Sequence, residues 1–170
     1  MILYHGGLQA VDAPRIIKSE IGRDFGFAFY ATDIREQAER WALRRKRTAL
    51  RNGHDTARAV VSVFNFDEAL ARRNLRFRDF PEVSMDWLDM VVACRSDVRF
   101  SHGFDLVTGK IANDNVGETI AYVLAGVMRK EDALERLRFQ QINNQFAFCT
   151  EAALSYLTFD SGYTVGGSDD

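Results

Sequence analysis

The chain has 170 residues, 46% of them hydrophobic, with 13 Phe, 5 Tyr and 2 Trp, enough to bury one core of its own. Two cysteines, Cys94 and Cys149, are too few for a disulfide framework and lack metal-site spacing, so neither a disulfide scaffold nor a metal is expected. A net charge of −2 neither demands nor excludes a nucleic-acid partner.

No run of about 18 apolar residues exists to span a membrane. The opening MILYHGGLQA has no basic leader before an apolar core. The expectation is a cytoplasmic protein with no membrane contact, a single domain over 1–162 and a flexible tail over 163–170.

Met1 to Tyr4 is a short apolar run stopped by Gly6-Gly7, which fits a buried strand ending at His5. Leu8 to Arg23 has mixed polarity and reads as a long loop, the kind that usually serves a function. Gly22 to Ala42 then gives a glycine-punctuated loop, an aromatic strand (Phe27, Phe29, Tyr30) and a helix start. Asp33 with Glu36 fits a capping box, and Asn52-Gly53 fits the helix stop. Ile34, Ala38, Trp41 and Ala42 predict one apolar face.

Arg58 to Phe66 predicts a half-buried strand, and Asp67 caps a short helix after it. Ser84 to Cys94 predicts an amphipathic helix with Trp87, Met90, Val91 and Cys94 inward. Phe104 to Ile111 predicts a strand interrupted near Gly109. Two helices over 116–128 and 131–140, with Leu134 and Leu137 as core contacts, precede a strand over 145–150. In that strand Phe146 and Phe148 face one way, Gln145, Ala147 and Cys149 the other. A short helix (151–157) and a strand at Thr158-Phe159 end the ordered part. Closely spaced short strands among helices favour an α+β fold over a doubly wound one.

Three polar side chains stand at the ends or edges of three apolar strands: His5 in LYHGG, Tyr30 in FAFYAT and Gln145 in NNQFAFCT. Trp41 follows Tyr30 by eleven residues. Two such rings over one cleft suit a flat, electron-poor ligand. With these residues the chain resembles the ADP-ribosyltransferase superfamily, in the branch holding the poly(ADP-ribose) polymerases and diphtheria toxin. That branch carries a His-Tyr-Glu triad on three strands, Gly after the His and a second aromatic eleven residues beyond the Tyr.

More closely, the chain resembles an uncharacterised bacterial family of that branch. Its marks are DFG-x-x-FY-x-T (Asp24 to Thr32), an aromatic-Asp-aliphatic-Val-x-Gly segment followed by Ala-x-Asp (Phe104 to Asp114), and Gln-x-x-Phe-x-Thr (Gln145 to Thr150).

The resemblance implies a split central β-sheet flanked by helices, and NAD as substrate without a metal. It implies His5, Tyr30 and Gln145 as catalytic residues, with His5, Gly6, Phe29, Tyr30, Thr32 and Trp41 holding the dinucleotide. In that chemistry the nicotinamide–ribose bond breaks through an oxocarbenium ion. Tyr30 and Trp41 would hold the nicotinamide, the Gly6 backbone its carboxamide, His5 a ribose hydroxyl, and Gln145 the nicotinamide-ribose 2′-OH.

Gln145 stands where better-known members carry Glu. It brings no negative charge, where one electrostatic contact is typically worth roughly 3 kcal/mol of barrier. The expectation is therefore mono-ADP-ribosylation of a protein or nucleic-acid acceptor rather than polymer elongation. NAD glycohydrolysis and silent NAD or ADP-ribose binding are the alternatives. The resemblance also implies an intracellular toxin or defence effector with a neutralising antitoxin partner.

Each residue has a plainer explanation in isolation. His5 reads as a strand-end structural histidine, Tyr30 as a rim aromatic, Trp41 as core and Gln145 as an edge residue. His54 and His102, beside glycines, read as surface residues, and Arg23 with Asp24 as a loop ion pair. Asp105 and Asp114 match turn caps as well as they match the family pattern. Arg40, Arg44, Arg47 and Arg51 form one helical stripe, either a solvated face or a dock for phosphate, nucleic acid or an acidic protein.

Overall fold

The computed structural model describes residues 1–18, 22–111, 114–138 and 143–166, and the architecture is mixed α+β. One sheet has three strands: β1 (Ile2–Gly7), β3 (Val60–Phe66) and β7 (Leu157–Thr164), in the order β1-β3-β7 and antiparallel throughout. The other has four: β2 (Phe29–Ala31), β4 (Phe77–Phe80), β5 (Leu106–Ile111) and β6 (Asn143–Phe148), in the order β2-β6-β5-β4. Within it only β4–β5 is parallel.

Among the described residues one antiparallel bridge, between Tyr4 and Thr32, joins the two sheets. Tyr4 N–H donates to the Thr32 carbonyl at 2.8 Å, and Thr32 N–H donates back at 2.9 Å.

Six helices lie among the described residues: α1 (Arg35–Arg51), α2 (Glu68–Asn74), α3 (Met85–Ser96), α4 (Asp114–Leu124), α5 (Lys130–Arg138) and α6 (Glu151–Leu154). Strand alternation divides the core. Phe29, Phe64, Phe66, Phe146 and Phe148 build one cluster, with edge-to-face ring pairs such as Phe66–Phe148 at 5.3 Å. Phe25, Trp87, Leu88, Val91, Ile120 and Leu137 build the other, between the four-stranded sheet and α3 to α5. Ala38, Ala42 and Val61 seat α1 on the three-stranded sheet.

Several expectations hold. Asp67 and Ser84 cap α2 and α3 through Leu70 N–H and Trp87 N–H, and Gly53, at φ +84°, follows the end of α1. Cys94 is buried and Leu137 is fully so.

Others need correction. The residue before α1 is Ile34, with no side-chain cap of its own, so the Asp33–Glu36 box does not form. Thr32 does that work: its hydroxyl accepts from Ile34 N–H at 3.1 Å. Gly109 interrupts nothing; it lies inside β5, and a Cβ there would come within 3.1 Å of the Phe25 ring. Strand β4 was not foreseen, because Arg78 and Asp79 break its apolar pattern. Strand β7 runs well past Phe159, so Tyr163 and Thr164 belong to the sheet and not to a tail; residues 167–170 lie outside the described ones.

Asp105 fastens the start of β5. Its carboxylate accepts from Arg76 Nε and Nη2, from Arg76 N–H and from Thr150 Oγ1, all within 3.1 Å. The Arg76 guanidinium, chiefly, holds the acid down to about 2. A carboxyl whose folded pKa is depressed contributes stability that is complete above its unfolded value and lost as pH falls through the folded one. Urea midpoints should therefore decline between about pH 4 and pH 2, and Asp105→Asn should flatten that part of the profile.

Candidate functional site

Beyond the Tyr4–Thr32 bridge the two sheets part, and the candidate site lies at that parting. Antiparallel strands turn both backbone groups of every second residue to the same neighbour. Tyr4 turns its pair to Thr32, so Gly6 turns its N–H and C=O the same way, into the space that β2 has left. The opposite edge is closed by side chain and loop. His5 Nδ1 lies 2.7 Å from the Tyr30 carbonyl, and Ile17 N–H donates to the Ala28 carbonyl at 3.3 Å.

A carbonyl can only accept, so Nδ1 carries the proton and, in the neutral ring, Nε2 is left as an acceptor. Burial lowers the His5 pKa, with Arg45 and Arg23 adding to that effect and the Tyr30 bond opposing it. The imidazole is thus held neutral at pH 7. Its ring stacks on Phe29 at 4.5 Å.

Tyr30 pairs with Ala147 across β2 and β6, which puts both on one face. Gln145, two residues from Ala147, shares that face. Its own partner on β5 is Gly109, which has no side chain to crowd it. The Gln145 Oε1 is buried and has no hydrogen-bond partner, the kind of group that asks for an explanation.

The Tyr30 hydroxyl donates to the Gly26 carbonyl at 2.6 Å and accepts from Phe25 N–H at 3.3 Å. Burial, with Asp24 adding, pushes its pKa well up, so it stays a neutral phenol. The ring orientation is therefore fixed by the DFG loop. That loop is held in turn by Asp24, nearly buried, against Arg95 at 2.7 Å. The Arg23 guanidinium lies 5.7 Å from the Tyr30 ring centre.

Gln37, which sequence reading passed over, ties α1 to β6. Its Nε2 donates to the Asn144 carbonyl at 3.1 Å, and its Oε1 accepts from Thr32 Oγ1 at 3.1 Å. Trp41 lies one turn further on the same side of the helix. It is 43% exposed and under the Arg44 guanidinium, so it is not the core residue its apolar spacing predicted.

The residues expected to hold a dinucleotide thus separate into two groups. Tyr30 and Gln145 share one face of β2 and β6, the Gly6 backbone faces the parting, and His5 reaches the Tyr30 carbonyl from the Phe29 side, with Trp41 exposed on α1. Phe29 and Thr32 stand behind them. Phe29 is 1% exposed and backs the His5 ring, while Thr32 is occupied by the α1 cap and the inter-sheet bridge.

Gly6 also serves a purpose other than ligand approach. A Cβ there would lie 2.2 Å from the Ala38 carbonyl oxygen, so glycine is what lets α1 sit on β1. His102 is likewise structural: it accepts from Phe104 N–H at 3.1 Å and reaches the Phe25 carbonyl at 3.2 Å, while His54 is exposed. Asp24 pairs with Arg95 and not with its neighbour Arg23. The Asp114 side chain lies outside the described ones. Burial pushes the Cys149 thiol up to about 12, so it is no nucleophile near neutrality.

No group of His, Cys, Asp and Glu fit to hold a metal exists among the described residues, and no helix is long and apolar enough to cross a membrane. A groove of about 590 Å³ lies elsewhere, between Arg78, Met90, Phe100 and Phe104, and none of the triad lines it.

No curated protein and no solved structure matches the chain. A family model described as "Protein of unknown function (DUF3990)" matches residues 1–159, nearly the whole chain, and the chain belongs to that family.

Proposed function

We propose that the protein is an NAD-dependent mono-ADP-ribosyltransferase of ADP-ribosyltransferase-like fold, acting at the parting of its two sheets. The observation that carries the reading is the buried, unpartnered Gln145 Oε1 on the same face as Tyr30, beside the strand whose His5 bonds Tyr30. The free Gly6 N–H and C=O match the carbonyl and amino group of a carboxamide, one acceptor and one donor. Tyr30 on one side and Trp41 on the other stack the nicotinamide ring. His5 Nε2 accepts from a ribose hydroxyl. Gln145 Oε1 accepts from the nicotinamide-ribose 2′-OH, and its dipole stabilises the positive charge that grows as nicotinamide leaves.

The amide is neutral, so the charge on the oxocarbenium ion is met by a partial negative charge and not a full one. Turnover is correspondingly slow. Because His5 is neutral with Nε2 accepting, NAD binding is flat from pH 7 to 9. It weakens only well below pH 6.5, where Nε2 gains a proton and loses its acceptor role. A titration of Kd against pH checks this.

NAD labelled in its adenylate half tests the reading. Label retained on macromolecule supports transfer. Free ADP-ribose with nicotinamide and no labelled acceptor would make the protein a glycohydrolase. Binding without cleavage would make it a recognition module. A co-expressed neutralising protein follows only from a toxin role, and co-purification from the native host tests it.

A further inference from the structure

We propose that the outer face of α1 binds single-stranded nucleic acid. Between Arg40 and Arg51 the helix carries Arg40, Arg44, Arg45, Lys46, Arg47 and Arg51 and no acid, on a chain whose net charge is −2. Arg40, Arg44, Arg47 and Arg51 fall on one line about 16 Å long, opposite the face where Ala38, Ala42 and Ala49 are buried. All four are exposed, and Arg40, Arg47 and Arg51 have no ion-pair partner among the described residues.

Unbalanced like charges along one helix repel each other, so the arrangement is unfavourable until an anion lies against it. The composition favours phosphate. Five of the six cations are arginine, whose planar fork pairs with phosphate oxygens bidentately. The line has no apolar residue to serve as the desolvated centre of a protein interface.

The location adds the strand type. Arg44 lies over the Trp41 ring, 5.8 Å from its centre, so the line runs beside the ring that the transfer reading sets against nicotinamide. A base stacked inside a duplex does not reach a cleft, whereas an unpaired one does. The choice of a single strand, and nucleic acid as the acceptor of ADP-ribose, rest on the transfer reading above; the attraction of the arginine line for phosphate does not.

The test is fluorescence anisotropy of a labelled 12-nucleotide single-stranded RNA with the full chain and no NAD. Binding is expected with log K falling against log salt by about 3 per decade, for four neutralised phosphates. R40E/R47E/R51E should weaken binding at least tenfold, and R40Q/R47Q/R51Q less, with the thermal transition of both retained. These arginines touch neither triad nor cleft, so nicotinamide release from NAD should be unchanged. Absent binding, binding indifferent to both variants, or displacement of the RNA by an equal charge of polyglutamate would overturn the proposal. The last result would point to an acidic protein partner. RNA binding without NAD cleavage would sink the transferase reading and leave this surface standing; cleavage without RNA binding would do the reverse.

Discussion

Gly6→Ala is expected to cost about 3 kcal/mol or more of folding stability. The added methyl would sit 2.2 Å from the Ala38 carbonyl oxygen and 3.0 Å from the Ala42 backbone nitrogen. Both are backbone atoms inside a helix, so no rotamer change relieves the clash, and α1 must lift from β1. For a domain of this size that loss lowers Tm by roughly 6–12 °C. Gly7→Ala is the control, since its nearest backbone atom is a tolerable 3.4 Å away. Lifting α1 also pulls Gln37 from β6 and shifts Trp41 with the helix, so a residual folded fraction of Gly6→Ala should lose NAD binding as well. Thermal melts of the two variants against the native chain decide the point. Equal melting temperatures would mean that α1 does not seat on β1 as described.

The second large effect concerns Gln145. Its Oε1 lies buried without a partner on the Tyr30 face, so removing that oxygen breaks no hydrogen bond of the fold. Gln145→Ala should therefore leave Tm nearly unchanged while NAD cleavage falls by about a hundredfold, the usual effect of deleting one preorganised polar contact to the transition state. Gln145→Glu places a full negative charge near the developing oxocarbenium ion and should preserve or raise the rate. Parallel measurements of nicotinamide release and melting separate the two roles. Turnover indifferent to Gln145→Ala would remove this residue from the site.

Much of this was legible in the sequence because local rules and tertiary demands coincide there. Asp67 and Ser84 announce α2 and α3 by capping chemistry, and the core holds α2 through Ala71 and α3 through Trp87, Leu88 and Val91. His5, Tyr30 and Gln145 were legible as polar residues on apolar strands; pairing joins the strands of Tyr30 and Gln145, while a side-chain bond brings His5 to the Tyr30 carbonyl.

What failed did so where a distant contact outweighs a local pattern. Asp33 looks like a cap, yet Thr32, fixed by its bridge to Tyr4, is the residue whose hydroxyl meets Ile34 N–H. Trp41 has core spacing, but Gly6 brings Ala38 and Ala42 so close to β1 that the buried face narrows to alanines and the large ring is left outside. Thr158-Phe159 was too short a signal for β7, because its continuation, Asp160 to Thr164, is polar and held by pairing to β3. Gln37 had no sequence signal: a glutamine on an exposed-looking helix face acquires its role from β6, over a hundred residues away.

The central claim is that Tyr30 and Trp41 enclose a nicotinamide ring at the parting of the sheets. Trp41 emission during an NAD titration tests it most directly, with Trp41→Phe correcting for the buried Trp87. The account predicts saturable quenching between about 1 μM and 1 mM NAD, the usual range for substrates, and its loss in Tyr30→Ala. Emission from Trp41 that stays constant across that range would contradict it.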